Sequence, residues 1–338
     1  MKKKLDNFII AEVGQNHQGN VKLALEYVKV FSDLGADAIK FQMRDNKKLF
    51  AKDAYQANYN SENAFAKTYG KHREKLELSF KDLKQIKKEC IKRRVKFMVT
   101  PFDENSLNKI CKIGVDIIKI ASFDLGNLPF IELISKKKRT TVISIGGGND
   151  KQIEESVKIL KKRVKNIIIL HCNSEYPTNY DRLGLQNIVE LKKKFKNCII
   201  GSSDHFNGIL SGPVAYMLGA RVFEKHVTLN RAWKGTDHSF ALEPEGFRKF
   251  VRDLKRTPKM LPMKNKKLIG KEPVFVKLGK SLTSNKIIKK GKKIKIEDLT
   301  GVIFKENYIA VRESNMIIGK KVRKDLIPGE PILKKDLT

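Results

Sequence analysis

The chain has no apolar run approaching the roughly 18 residues that a membrane-spanning helix needs, which excludes an integral helical membrane protein. Its first residues, M-K-K-K-L-D-N-F-I-I-A-E-V, are basic and then apolar, but the apolar run is short, contains Glu12 and has no small-residue cleavage site, so a secretory signal is rejected. The four cysteines, Cys90, Cys111, Cys172 and Cys198, show no paired spacing, which excludes a zinc knuckle and a disulfide framework and makes a reducing cytoplasm the expected location. No glycine-rich dinucleotide fingerprint follows the first strand-like segment.

Acidic residues are also short: 37 against 70 lysines and arginines, a net charge of +33. Such a balance suits nucleic acid or an anionic surface. The lysines, however, are spread over the chain, with clusters at Lys87-Lys88, Lys136 to Lys138 and Lys192 to Lys194 near the ends of expected helices, where cations suit the helix dipole. They are not interleaved with aromatics in one tract. A nucleic-acid-binding protein is therefore the weaker class, and neither nucleic acid nor membrane is expected as a partner.

Apolar strand-like segments do recur, at 8–13, 38–42, 95–100, 117–122, 141–146, 167–173, 199–206 and 222–228, with amphipathic helical segments between them. In the first helix Val21, Ala24, Leu25, Val28, Phe31 and Leu34 share a face; in another, Leu83, Ile86 and Cys90 do. Eight such units in one chain imply an α/β fold of the (β/α)8 TIM-barrel type over residues 1–257, with a doubly wound sheet as the runner-up. Residues 43–78 make a connection too long for an ordinary barrel loop and are expected to form a wall or lid of the site. Prolines 258 and 262 mark a linker over 258–274. Residues 275–338 read as a small β-rich domain with an internal echo: K-I-I-K-K-G-K-K-I-K-I-E-D-L (286–299) matches K-D-L-I-P-G-E-P-I-L-K-K-D-L (324–337).

A barrel carries its site at the C-terminal ends of its strands, and polar residues collect there in this chain. Lys40 and Lys119 each interrupt an apolar strand, where an unpaired ammonium is costly to bury. Either each pairs with a buried carboxylate or both face a bound anion; beside Thr100, Ser122, Ser144 and Ser203 they describe a pocket for phosphate and carboxylate. The glycines at 146–148 add possible backbone donors, a weak motif alone. Glu12, Asp124, Glu224 and Asp237 supply acceptors for a polyhydroxylated molecule. Two successive strands end in histidine, I-I-G-S-S-D-H-F (199–206) and V-F-E-K-H-V-T (222–228). His205 and His226 are thus candidates to converge on one metal ion, although either alone is more economically a histidine satisfied by a backbone carbonyl. The residues support a metal-assisted barrel enzyme for a small anion and a sugar-like molecule, without naming its reaction.

The same residues resemble the sialic acid synthase family. The matching motifs are I-I-A-E-V-G-Q-N-H-Q-G (9–19), K-F-Q (40–42), T-P-F (100–102), K-I-A-S (119–122), H-C-N-S-E-Y-P (171–177), S-D-H (203–205), E-K-H (224–226) and W-K-G-T-D-H-S-F-A-L-E-P (233–244). Residues 275–338 resemble the family's antifreeze-like (SAF) domain. The resemblance implies a carbon–carbon bond-forming transferase that condenses phosphoenolpyruvate with an N-acylated mannosamine-type hexosamine, or its 6-phosphate. It implies that Lys40, Thr100, Lys119, Ser122, Ser144, Asn173 and Ser203 hold phosphoenolpyruvate, and that Glu12, Gln42, Asp124, Tyr176, Glu224 and Asp237 contact the sugar. Glu12, Glu224 and His226 are the implied catalytic groups, with Glu12 first in line for proton transfer. His205 and His226 would bind a divalent metal, manganese by the family pattern with magnesium or cobalt as alternatives. A domain-swapped homodimer is implied as well.

Three departures stand out. Asp124 replaces a glutamate of many bacterial members, Ile145 stands where a hydroxyl residue near the phosphate pocket is usual, and Phe304-Lys305-Glu306 replaces the arginine of the small domain. Together with K-T-Y-G-K-H-R they lean toward the eukaryotic-like branch. Legionaminate or pseudaminate synthesis, and a related 3-deoxy-sugar acid synthase, are the alternatives.

Overall fold

The computed structural model describes residues 7–263 and 265–338. The chain divides into two compact units, one ending at Leu261 and one beginning at Pro262.

In the first unit eight parallel strands close in sequence order: β1 (Phe8–Gly14), β2 (Ala38–Met43), β3 (Lys96–Pro101), β4 (Ile117–Ile120), β5 (Thr140–Ser144), β6 (Ile167–Cys172), β7 (Ile199–Asp204) and β8 (Val222–His226). β1 pairs with β8 to complete the ring, so the expected (β/α)8 barrel is present. Side chains alternate between the two faces of each strand, and that alternation sorts the barrel into layers. Ile10, Ala38, Met98, Ile117, Val142, Ile168 and Val222 pack together inside the barrel. Two residues further along each strand stand Glu12, Lys40, Thr100, Lys119, Ser144, Leu170 and Glu224. The interior is therefore an apolar plug near the strand starts with a mostly polar floor above it. The intervening residues, among them Ile9, Ala11, Ile39, Phe41, Phe97, Val99 and Phe223, face outward and join the core under the helices.

Local signals set the helix limits. Asn20 caps Val21–Asp33 by accepting from the Lys22 and Leu23 amides, and the helix buries Ala24, Tyr27, Val28 and Phe31; each large apolar side chain so buried contributes about 1.5–3 kcal/mol. Ser79 and Asp82 form a reciprocal capping box at the start of Phe80–Lys92, which buries Leu83, Ile86 and Cys90. The last barrel helix, Pro244–Met260, runs through Pro258 rather than stopping at 257. Burial of Phe247, Phe250, Val251, Leu254 and Thr257 holds the helix there, and a proline this near the C-terminus removes only one ladder bond. The segment read as a linker over 258–274 accordingly begins as helix.

The second unit contains a two-stranded antiparallel sheet, β9 (Ser281–Ser284) with β10 (Leu299–Val302). The internal echo is a structural repeat. Ile288 and Leu326, 38 positions apart, exchange backbone hydrogen bonds with each other. Gly291 and Gly329 both adopt left-handed φ angles, 82° and 84°, and Asp298 and Asp336, each on a 3-10 turn, both accept the backbone N–H three residues back, of Lys295 and Leu333. The Ile294 amide donates to Lys320 O while the equivalent Ile332 amide donates to Leu282 O. Ile288, Ile294, Leu326, Ile332 and Leu337 share the unit's apolar core.

Candidate active site

A cavity of about 810 Å³ opens in the barrel unit. Of the residues singled out from sequence, Glu12, Lys40, Gln42, Thr100, Lys119, Ser122, Ser144, Tyr176, Ser203, His205, Glu224, His226 and Asp237 line it. Asn173 and Asp124 are not among the lining residues.

The floor is one connected charge system. Glu224 Oε1 lies 3.2 Å from Lys40 Nζ and 3.2 Å from Lys119 Nζ, and accepts from Ser203 Oγ at 3.1 Å. Glu12 Oε1 lies 3.0 Å from Lys40 Nζ and accepts from Gln42 Nε2 at 2.8 Å. Of the two explanations offered for the strand lysines the first is observed: each ammonium has a buried carboxylate partner, and each also lines the cavity. The second carboxylate oxygens, Glu12 Oε2 and Glu224 Oε2, and the Ser144 hydroxyl are buried without a hydrogen-bond partner. They are the free polar atoms a ligand would meet.

The electrostatics push the two carboxylates apart. Burial raises the pKa of Glu12, and the nearby Glu224 charge adds to the rise against the opposing Lys40. Burial would raise Glu224 too, but Lys119 and Lys40 outweigh it and hold that carboxyl down at about 2. Burial disfavours the Lys40 ammonium, yet Glu12 and Glu224 overcome this and raise its pKa. Lys119 goes the other way, lowered by burial with Lys40 adding repulsion. A carboxyl inclined to hold a proton beside one fixed as an anion is a division of acid and base roles.

The two strand-end histidines meet at the wall. Their ring centroids are 5.2 Å apart, and Tyr176 packs 3.8 Å from the His205 ring. Burial lowers His205 to about 3, with His226 contributing, and lowers His226 to about 4. Both rings are therefore neutral at pH 7, the form that ligates metal. His205 Nδ1 bonds the Asn173 carbonyl oxygen at 2.8 Å, which fixes the ring and leaves Nε2 available. His226 Nδ1 has no hydrogen bond and stands 3.6 Å from Asp237 Oδ2. Among the described residues no group of three or more His, Cys, Asp or Glu side chains is arranged to hold a metal; these two imidazoles offer two ligands.

Several sequence expectations change on placement. Asn173 shapes the loop that orients His205: its Nδ2 donates to Arg182 O at 2.8 Å and its Oδ1 accepts the Glu175 amide. Asp124, on the turn Ser122–Asp124, accepts from Asn127 Nδ2 at 2.9 Å and does not line the cavity. Ile145 does not line the cavity, because strand alternation turns it outward into the core under the helices. Ser122 Oγ accepts the Gly146 amide at 3.1 Å, so that glycine's N–H is already engaged. A Cβ at Gly146 would come within 2.3 Å of Ser174 Oγ, which is why glycine stands there.

Arg44, Arg73, Gln15, Phe102 and Cys172 also line the cavity, and none of them is among the site residues expected from sequence. Arg44 was within reach of the alternation argument, two residues past Gln42. Arg73 was flagged only through the long 43–78 connection, which does form a wall, contributing Leu49, Phe50, Asn63, Tyr69 and Arg73.

A closed parallel barrel with titratable groups gathered at the C-terminal strand ends is the build of a barrel enzyme. Residues 27–266 match the model of the NeuB family. The chain is 33% identical over 316 residues to human N-acetylneuraminate-9-phosphate synthase, covering 93% of this chain and 88% of the relative. It is 35% identical over 296 residues to N,N'-diacetyllegionaminic acid synthase of Campylobacter jejuni, covering 86% and 87%. Among solved structures, the N-acetylneuraminic acid synthetase of Leptospira borgpetersenii in complex with citrate superposes with a TM-score of 0.70 at 32% identity, over 79% of this chain and 90% of that one. The chain belongs to the NeuB family.

Proposed function

We infer that this protein is a nonulosonic acid synthase that joins phosphoenolpyruvate to N-acetylmannosamine or its 6-phosphate, yielding N-acetylneuraminate or its 9-phosphate and inorganic phosphate. The observation that carries the reading is the floor of the cavity. Two buried lysines and the hydroxyls of Thr100, Ser122, Ser144 and Ser203 stand beside two carboxylates with unpartnered oxygens, in a chain related to synthases of this type.

In this reading Lys40, Lys119 and the surrounding hydroxyls hold the phosphate and carboxylate of phosphoenolpyruvate by charge-assisted hydrogen bonds. The anion replaces part of the pairing that Glu12 and Glu224 give the lysines in the free protein. Gln42, Tyr176, Asp237 and the free oxygens of Glu12 and Glu224 orient the open-chain sugar. The methylene carbon of phosphoenolpyruvate forms a bond to the aldehyde carbon, and Glu12 gives a proton to the aldehyde oxygen as it becomes a hydroxyl. Water adds to C2 and loses a proton. The proton lost by water restores Glu12, and the C2–O bond to phosphate then breaks as the new C2 hydroxyl passes its proton to the departing phosphate, leaving the ketone and free phosphate. Glu224, held as an anion, stabilises the positive charge at C2 before water adds. The neutral His205 and His226 fit a divalent metal, manganese by family resemblance, which when bound would supply Lewis-acid polarisation of the aldehyde. Asn173 acts through His205 rather than on substrate. A homodimer, and an antifreeze-like (SAF) identity for the second unit, belong to the same proposal; sedimentation of the full chain tests the former.

The test is phosphate release from phosphoenolpyruvate and manganese with N-acetylmannosamine, its 6-phosphate, arabinose 5-phosphate or no sugar, with and without chelator. Sugar-dependent, chelator-sensitive release is expected. Release with arabinose 5-phosphate alone would transfer the chain to the 3-deoxy-sugar acid synthases, and none with any sugar would overturn the reading.

A further inference from the structure

The cavity contains a second cationic site that the phosphoenolpyruvate pocket does not use. Arg44 leaves the end of β2, and Arg73 sits on the short helix Tyr69–Lys75 of the long connection; both line the cavity. Arg44 is satisfied. Its Nη1 and its backbone N–H both reach Glu77 at 3.1 Å, its Nη2 donates to Gln42 Oε1, and its guanidinium lies 3.9 Å above the Phe102 ring.

Arg73 is not satisfied. It is only 7% exposed. Its Nη1 donates to Gln15 Oε1 at 2.7 Å, its Nε is buried without a partner, and no carboxylate lies within ion-pair distance among the described residues. Glu77 feels the Arg73 charge but is bonded twice by Arg44. Two guanidinium groups therefore share one carboxylate, while on the floor Lys40 and Lys119 are matched by Glu12 and Glu224. A buried, unpaired charge costs several kcal/mol, and a planar guanidinium with free N–H groups fits a phosphate better than any neutral group.

The position is fixed. Tyr59 and Tyr69 pack at 5.2 Å, Phe50 and Tyr69 at 5.3 Å, and Tyr59 and His72 at 4.5 Å. The His72 ring nitrogen Nδ1 accepts the Phe65 amide. Gly70 lets this helix close on Tyr55, since a Cβ there would sit 2.2 Å from the ring. Arg73 is thus held by an aromatic cluster at the wall. A hydrogen-bonded line from Arg44 through Gln42 to Glu12 ties this wall to the floor.

We propose that Arg73, seconded by Arg44, binds a terminal phosphate monoester on the sugar acceptor, so that the protein selects a 6-phosphorylated hexosamine over the free sugar. The proposal rests on the synthase reading and assigns the acceptor's charge within it. Phosphoenolpyruvate at the lysine floor and the acceptor phosphate at the arginine wall would bracket the reacting carbons.

The experiment uses the full chain, unsubstituted and as Arg73→Gln and Arg73→Lys. Phosphate release is measured against N-acetylmannosamine and its 6-phosphate at saturating phosphoenolpyruvate, and N-acetylmannosamine 6-phosphate is titrated calorimetrically into each protein without phosphoenolpyruvate. The unsubstituted enzyme should favour the 6-phosphate. Arg73→Gln should cut the ratio of kcat/KM values between the two sugars about 10–100-fold, the range for losing one charged hydrogen-bonded contact, chiefly through the KM of the 6-phosphate. Arg73→Lys should keep part of the preference, and the KM for phosphoenolpyruvate should not move. Preference for the free sugar, an equal loss on both sugars, or a raised phosphoenolpyruvate KM would overturn the assignment and leave the synthase reading standing. If no sugar supports turnover, the synthase reading falls by itself. The titration then decides the site: binding weakened about tenfold or more by Arg73→Gln supports it, and no binding to the unsubstituted protein ends it.

Discussion

Replacing Glu224 by glutamine tests the floor of the cavity without changing its shape. In the folded protein Glu224 Oε1 stands 3.2 Å from each of two buried ammoniums. At an effective dielectric constant of about 20, each contact is worth about 5 kcal/mol before desolvation is charged against it. Removing one partner from a buried charge group typically costs about 3–5 kcal/mol, because the remaining charge stays buried. Lys119, whose pKa is already lowered by burial, can shed its proton and limit the loss, so the lower end applies. At about 2–4 °C per kcal/mol for a domain of this order of size, Glu224→Gln should melt roughly 6–12 °C below the unsubstituted protein at pH 7. Phosphoenolpyruvate should then raise the melting temperature of the variant more than that of the parent, since the ligand's charge replaces the missing carboxylate. Scanning fluorimetry over a phosphoenolpyruvate series measures both effects. A variant melting within about 1 °C of the parent, or one that gains less from the ligand, would refute the account of the floor as a balanced group whose carboxylates yield to an anion.

Other expected outcomes can be checked separately. His226→Ala and His205→Ala should each abolish chelator-sensitive turnover and bound manganese, read by electron paramagnetic resonance, with the circular dichroism unchanged; turnover that persists in metal-depleted buffer would remove the metal from the proposal. His17 is buried and its Nδ1 accepts the Gly19 amide; burial lowers its pKa from 6.5 to about 4. The unfolded chain binds that proton below 6.5 and the folded chain does not until about 4. Stability should therefore fall with pH across that window by up to about 1.4 kcal/mol per pH unit from this ring, and His17→Gln should flatten the slope seen in urea titrations. Gly291→Ala and Gly329→Ala meet no atom within 4 Å but require φ near 82° and 84°, so each should cost the small unit about 1–2 kcal/mol from backbone strain alone, measurable by denaturant unfolding.

The barrel and its floor were legible because strand alternation is a local rule with a long reach. Once Ile10, Met98 and Val142 are inward, Glu12, Thr100 and Ser144 must be inward too, and no tertiary information is needed. The same rule, applied one residue further, turns Ile145 outward. Legibility ended where the chain leaves the strands. Asn173 and Asp124 stand just past strand ends, where loop hydrogen bonds rather than periodicity aim the side chain. Arg73 reaches the cavity only because an aromatic cluster between residues distant in sequence folds the long connection back. Pro258 misled for a different reason: propensity marks it as a stop, but five buried side chains of the same helix outweigh a single lost hydrogen bond.

The repeat in the small unit has a consequence for how that unit can be taken apart. Residue 294 of one half bonds to residue 320 in the run of chain that leads into the other, while residue 332 of the second bonds back to residue 282 in the strand that leads into the first. Neither half keeps its partners to itself; the unit is a pair of clasped hands carried on one arm. Severing the backbone between the halves would leave two fragments, each of which needs the other to fold. Mixed together, they should rejoin, and a change that weakens one grip should be felt equally by both.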